Sequence, residues 1–480
     1  MIVLPTNTKA TRRTGRLLIG LGVLVGSLLS ASTASAQTLT ILGSFNGSNG
    51  ANPYAGLIAD ANGNLFGTAA SGGDFRYGTV FELAKTSTGY VATPTTLISF
   101  TGNRSLNGSI GAYPYAGLLA DANGNLFGTT VFGGANVSGT IFELAKTATG
   151  YAAAANTLVS FNDSNGGHPY APLIADANGN LFGTAGDGGG FGYGTVFELA
   201  KTATGYAIAP TTLVSFNGSN GFAPNAGLLA DANGNLFGTT PNGGDLGAGN
   251  VFELAKTATG YAATPTTLVS FNGGNGAYPS AGLIADANGN LFGTTQIGGD
   301  FGGGTVFEIA ATATGYAAAS TTLVSFNSSG SNGAYPYAGL IADANGNLFG
   351  TTYAGGVSGL GTVFELAKTA TGYAAAPTTV VSFNVSNGSS TAGLIADANG
   401  NLFGTTGNGG TSGLGTVFEI AGSGFVPPLK FAGMPGSARC HGVSISNLAT
   451  AYGGLNYAAA ALGYQSVAAL QSAVKTYCGM

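Results

Sequence analysis

Fourteen of the 19 carboxylates in this 480-residue chain fall into two periodic series. Asp60, Asp121, Asp176, Asp231, Asp286, Asp343 and Asp397 each open the pentapeptide DANGN. Glu82, Glu143, Glu198, Glu253, Glu308, Glu365 and Glu419 each sit in an apolar run such as GTVFEL. Oxygen donors at alternating positions mimic the start of a calcium loop, but the bidentate Glu of its last position and the flanking helices are missing. The same letters also make a tight hairpin turn. Asn-Gly favours positive φ, and an Asp side chain accepts backbone N–H groups across such a turn. We expect DANGN to be a turn and the chain to need no cofactor. Bound calcium, in these loops or held by seven Asp around a channel, is the alternative. The Glu series is expected to be half-exposed and solvated or paired; a Lys follows three residues later in five copies, and the fifth copy has Ala311.

Acid–base catalysis needs two or three groups whose environments push their pKa values apart. Sevenfold copies share one environment, so attention passes to Asp74, Asp163, Asp187, Asp245 and Asp300, the carboxylates outside both series. With His168 they could serve a hydrolase or lyase acting on extracellular polysaccharide. No G-x-S-x-G elbow, H-E-x-x-H or P-loop accompanies them. His441 follows Cys440 without the C-x-x-C-H of a haem attachment. No strand–Gly–helix unit turns the glycines into a nucleotide fingerprint. We therefore expect a non-catalytic protein with no metal site.

The elements that must position these residues are repeats. The DANGN starts are separated by 61, 55, 55, 55, 57 and 54 residues. One copy, from 281, holds four short strand-like runs, AGLIAD, NLFGTT, GTVFEI and TTLVSF, each bounded by Gly, Asn or Ser. Four antiparallel strands per unit of this size describe a propeller blade. The seventh copy stops after GTVFEI (415–420), while an unmatched partner strand, TLTILGSF (38–45), opens the array. An N-terminal strand completing the last blade would close the ring and leave no exposed sheet edge. The expected fold is therefore all-β: a seven-bladed β-propeller closed by an N-terminal strand, plus a small disulfide-stapled α-helical C-terminal module. The pattern A-G-L-I-A-D-A-N-G-N-L-F-G-T-T followed by G-G and G-T-V-F-E-L resembles the GloVer tandem repeat of exported bacterial proteins. It is similar, more distantly, to the D-x-x-G-N-x-Y blades of the NHL class. The resemblance covers roughly residues 38–421; it implies a propeller and brings no agreed activity.

In blades ordered a–b–c–d, the b–c and d–a loops share one face, and DANGN lies on the other. The b–c loops vary, as SGGDFRYGT (71–79) and AGDGGGFGYGT (185–195) show. Loops on a rigid scaffold are where binding usually resides. The candidate binding residues on that face are Arg76, Tyr77, Arg104, Tyr115, His168, Tyr170, Tyr193 and Tyr337. The Tyr-Pro-Tyr runs have a second reading as filler at blade junctions. The expected partner is an extracellular ligand, a glycan or a protein; aromatics among Asn, Asp and Gly suit sugars, although the chain has no Trp.

Residues 1–36 read as a secretion signal. Lys9, Arg12, Arg13 and Arg16 precede an apolar run (17–29), and Ala34-Ser35-Ala36 offers a cleavage site. Removing those four basic residues leaves 10 positive against 19 negative charges, or −9. Without a basic patch, nucleic acid is a poor partner. No later segment looks transmembrane, so the protein is expected to be exported: periplasmic, on the cell surface or extracellular. After the propeller (37–421) we expect a linker (422–436) and a helical module (437–480). Val467, Leu470, Val474 and Tyr477 fall on one helical face. In an exported chain, Cys440 and Cys478 are most simply one disulfide.

Overall fold

The computed structural model describes residues 37–102 and 110–427, with Gln471, Val474 and Lys475. The chain divides into Met1–Ala36 and Gln37–Met480. The expected signal segment, Arg104, Cys440, Cys478 and nearly all of the expected helical tail lie outside the described residues. Gln471, Val474 and Lys475 are helical. Among the described residues, no helix is long and apolar enough to cross a membrane.

The first blade contains strands a (Ile58–Ala59), b (Leu65–Ala69), c (Thr79–Leu83) and d (Thr95–Ser99), antiparallel and in that spatial order. Five further sheets repeat it. The seventh combines Ile395–Ala396, Leu402–Asn408 and Thr416–Ala421 with Thr38–Ser44 as its strand d. Register identifies this N-terminal strand as a true equivalent. Thr416 faces Ser44 and Glu419 faces Thr40, just as Thr79 faces Ser99 and Glu82 faces Thr95. Even the bulge recurs, between Ile41 and Gly43 here and between Val80 and Phe81 in the first blade. The extra residue increases the local twist that blades need. The closed seven-bladed ring expected from the repeat count is what the structure shows.

Strand b is buried along its whole length, because sheets stacked face to face cover both its sides. Its glycine is required by the strand opposite. Gly67 pairs with Phe81, and a Cβ at Gly67 would fall 2.7 Å from the Phe81 ring tip. The corresponding distance is 2.5–2.7 Å in all seven copies. Each hydrophobic cluster lies between consecutive blades, as with Phe182, Val196 and Phe216 against Leu228, Leu236 and Phe252. Another joins Leu57, Leu65 and Phe81 to Phe403 and Val417, across the closure.

A threonine of strand b donates to the alanine carbonyl ahead of strand a in the next blade, from Thr68 to Ala116 (2.8 Å) round to Thr405 to Ala55 (2.9 Å). The following glycines crowd their counterparts: a Cβ on Gly117 would lie 3.3 Å from Gly56 O, and one on Gly56 3.5 Å from Gly393 O. Equivalent atoms come so close only near the axis, which makes strand a innermost.

Between strands c and d, six blades carry a two-residue hairpin such as Lys85–Thr86 with Gly89–Tyr90. Its tyrosine packs edge-on against the strand-b phenylalanine of the preceding blade: Tyr151 on Phe66, Tyr206 on Phe127, Tyr90 on Phe403. The seventh blade ends before its hairpin. Phe425 fills that place against Phe349, with ring centroids 5.1 Å apart. Around it, Ser423 Oγ donates to Gly400 O and Ala344 N donates to Val426 O. The residues expected to begin a linker thus pack on the propeller as far as Pro427.

Candidate binding face

The DANGN face is built from its own hydrogen bonds. Asp60 Oδ1 accepts the backbone N–H groups of Asn62 and Asn64, both at 2.9 Å, and Oδ2 accepts Asn64 Nδ2. Gly63 takes the positive φ of 82° that the turn needs. Asn64 Oδ1 then accepts the Lys85 N–H and ties the turn to the hairpin beside it. The Asp network recurs at Asp121, Asp176, Asp231, Asp286, Asp343 and Asp397. The expected turn is present in every copy.

The Glu series lies between blades. Burial raises the pKa of Glu82, Glu253, Glu308, Glu365 and Glu419. Lysines of the following blade oppose the rise at Glu82 (Lys146), Glu308 (Lys368) and Glu419 (Lys85). In these three pairs the Lys acts on the Glu of the preceding blade, not on the Glu three residues before it. Lys146, Lys201 and Lys256 each place Nζ 4.0–4.1 Å from the ring centre of their own hairpin tyrosine. Burial, then neighbouring carboxylates, push Tyr90, Tyr151, Tyr206, Tyr261 and Tyr373 up to about 12. These repeated contacts join each blade to its neighbour.

On the opposite face the structure separates residues that look alike in the sequence. The residue before each loop proline, such as Tyr113, His168 or Tyr278, sits at a φ of 53–58°. Its N–H donates to the preceding blade, as from Tyr113 to Tyr77 O (2.8 Å) and from His168 to Ser138 O (2.8 Å). Tyr77 and Tyr193 belong to these junctions too, edge-on to Tyr113 and Phe222. The residue after the proline is different. Tyr54, Tyr115 and Tyr170 precede the innermost Ala-Gly or Ala-Pro and so ring the opening at the axis, each 37–42% exposed. Tyr54 and Tyr115 stack at 5.8 Å with 9° between planes, and Tyr115 meets Tyr170 at 5.9 Å. Tyr337 holds the same place in the sixth blade and contacts Tyr353 at 6.0 Å.

Of the predicted set, Tyr115 and Tyr170 come together, with Tyr54 as their neighbour. Arg76 stands apart, exposed on the first b–c loop at a φ of 68° where five copies have glycine. Among the five unrepeated carboxylates, only Asp163 and Asp187 share a blade with His168. His168 Nδ1 lies 3.0 Å from Asp187 Oδ2 but off the hydrogen-bond direction, and the His ring is edge-on to Phe132 at 4.9 Å. Asp74, Asp245 and Asp300 occupy b–c loops of three other blades. Among the described residues, no group of three or more His, Cys, Asp or Glu could hold a metal ion.

Sequence reasoning missed Tyr353 and the exposed loop-tip residues Phe191, Leu246 and Phe301. It also missed Asn225, whose buried Oδ1 has no hydrogen-bond partner. Stacking the seven repeats in columns would have exposed them, since Asn225 falls in the column of Tyr54, Tyr115 and Tyr170.

Residues 25–209, 157–327 and 314–465 match the family model described as the Gloeobacter/Verrucomicrobia repeat. No curated protein matches the chain. Solved structures with some likeness include a protein from Bacteroides uniformis provisionally described as a 6-phosphogluconolactonase. It shows 13% identity and a TM-score of 0.42, over 78% of this chain and 96% of that one. A protein of unknown function from Dyadobacter fermentans shows 10% identity and a TM-score of 0.40, over 80% and 98%. A third, provisionally described as a gluconolactonase, shows 15% identity and a TM-score of 0.34, over 60% and 84%. Likeness at this level carries nothing about chemistry.

Proposed function

The chain belongs to the Gloeobacter/Verrucomicrobia repeat family, and we propose that it is an exported, non-catalytic binding scaffold whose ligand meets the face of varied loops. One observation carries this reading: the aromatic side chains that differ between copies meet one another, exposed, around the axial opening. On the other face, each DANGN carboxylate accepts N–H groups with both of its oxygens. That use of the Asp oxygens also supports a protein without a cofactor. The basic and apolar start of the chain supports export, and Cys440 with Cys478 would staple a helical tail beyond the propeller.

A panel of glycans, cell-wall polymers and surface proteins tests this directly. Binding should fall at least tenfold in a Tyr115→Ala, Tyr170→Ala double variant and stay unchanged in Lys146→Ala on the other face. Loss only in Lys146→Ala would sink the assignment of the face. His168 beside Asp187, with Asp163 in the same blade, favours a second reading as a polysaccharide hydrolase or lyase. Cleavage of a polymer by the native chain, abolished by His168→Ala, would replace the scaffold reading with that one.

A further inference from the structure

We propose that the opening of the ring is a site for a neutral polysaccharide chain, held on the strip formed by Tyr54, Tyr115 and Tyr170. This rests on the binding-scaffold reading and names the ligand class of that face. The column that supplies the strip reads Tyr54, Tyr115, Tyr170, Asn225, Ser280, Tyr337 and Thr391 around the seven blades. Its flanks barely change: a proline precedes it in six blades, and Ala follows in all seven. In the six proline-bearing blades backbone geometry is thus held constant while one side chain varies. Variation on a constant frame is the pattern of a surface fitted to a ligand, although the seventh member, Thr391, is buried and bonded to Thr352 O.

The chemistry of the column selects the ligand. Three consecutive blades contribute aromatic rings in mutual contact, stacked at 5.8 Å and then tilted at 5.9 Å. The next two contribute Asn225 and Ser280, and none of the seven residues carries a charge. Asn225 Oδ1 is buried without a partner, and the site a Cβ on Gly186 would occupy is 2.7 Å from it and 3.5 Å from the Tyr170 ring. That oxygen lies beneath the surface beside the Tyr170 ring edge and marks the end of the aromatic strip. A ligand must therefore present apolar faces to the rings while bringing no charge. Sugar rings meet both requirements. An anionic polymer would also face the net negative charge of the chain. A proline-rich peptide could use the rings as well, which makes a polyproline probe the comparison that separates the two.

The strip is also rigid before any ligand arrives. Each tyrosine follows a proline, the residue before that proline is hydrogen-bonded to the blade behind, and the carbonyl just after accepts a threonine from the same blade. Tyr115 is held this way by Tyr77 O and by Thr68 Oγ1 acting on Ala116 O. Little ordering entropy remains to be lost on binding, which favours a modest aromatic surface over a mobile one.

Electrophoresis of the chain from Gln37 through gels cast with mixed-linkage β-glucan, xyloglucan or glucomannan tests the site, with polygalacturonate and a polyproline peptide as comparison probes. The expected result is retardation by at least one neutral polymer. Tyr115→Ala should weaken it at least tenfold, while Tyr115→Phe keeps most of it. Lys146→Ala, on the opposite face, should leave it unchanged, and unaltered melting curves show that the variants fold. Neutral-polymer retardation that survives both Tyr115→Ala and Lys146→Ala would overturn the strip and leave the scaffold reading standing. Binding only to polygalacturonate or to polyproline would overturn the sugar assignment, as would no retardation by any neutral polymer. Polymer cleavage dependent on His168 would instead overturn the reading on which the site rests.

Discussion

Thr195 shows how closely the copies constrain one another at the scale of a residue. In four blades the equivalent threonine pairs with a threonine on strand b, as Thr140 does with Thr130 at 2.7 Å. The third blade has Ala185 at that place, and Thr195 Oγ1 is buried without a partner. Ala185→Thr should restore the pair and stabilise the propeller by about 1 kcal/mol, read as a higher midpoint in urea. An unchanged or lower midpoint would show that the hydroxyl is already satisfied. The opposite outcome is expected at Gly238. A Cβ there would meet the Phe252 ring at 2.5 Å, so Gly238→Ala should cost about 1–3 kcal/mol through overpacking. Both positions are visible in the sequence as columns, but their partners are not, because register decides which side chains meet. The split within Tyr113-Pro114-Tyr115 was hidden for a related reason. The left-handed φ at Tyr113 turns one ring into a junction and sends the other to the opening, and nothing in the letters Y-P-Y marks it.

At the scale of an element, Phe425 completes a hairpin row that the seventh blade leaves open. Phe425→Ala removes a ring buried to 7% exposure and should destabilise by about 3 kcal/mol, within the range for buried aromatics. A variant no less stable than the parent would show that the segment after Gly422 is only a tether. Strand c and the hairpin after it also set a pH dependence. Glu82, Glu253, Glu308, Glu365 and Glu419 have raised pKa values in the folded chain, so the folded state takes up protons before the unfolded one. Stability should rise as pH falls from about 7 towards the ordinary carboxylate range, and a lower midpoint at about pH 5 than at pH 7 would contradict this. The raised tyrosines act at the other end, with stability lost as pH climbs above their unfolded value near 10. The four-strand unit was legible because short apolar runs alternate with Gly and Asn turns. The docking of Ser423–Pro427 was not, because it depends on a gap in the row that only the assembled ring reveals.

For the whole molecule, the decisive arrangement is a closed ring with DANGN turns on one face and varied loops on the other. Thr405 donating to Ala55 and the register of Thr38–Ser44 against Thr416–Ala421 tie the two ends of the propeller into the same closure. The closure was readable from the missing strand at one end and the spare strand at the other. The face proposed for a ligand was readable only as a location, because which varied residues touch is a property of the assembled blades. The most direct measurement is backbone hydrogen exchange of the chain from Gln37 with and without mixed-linkage β-glucan, xyloglucan and glucomannan, each at the highest attainable concentration. Binding at the opening predicts slowed exchange at 52–57, 113–118 and 168–173, with the DANGN turns unchanged. Slowed exchange at the DANGN turns alone, or no change on either face, would contradict it.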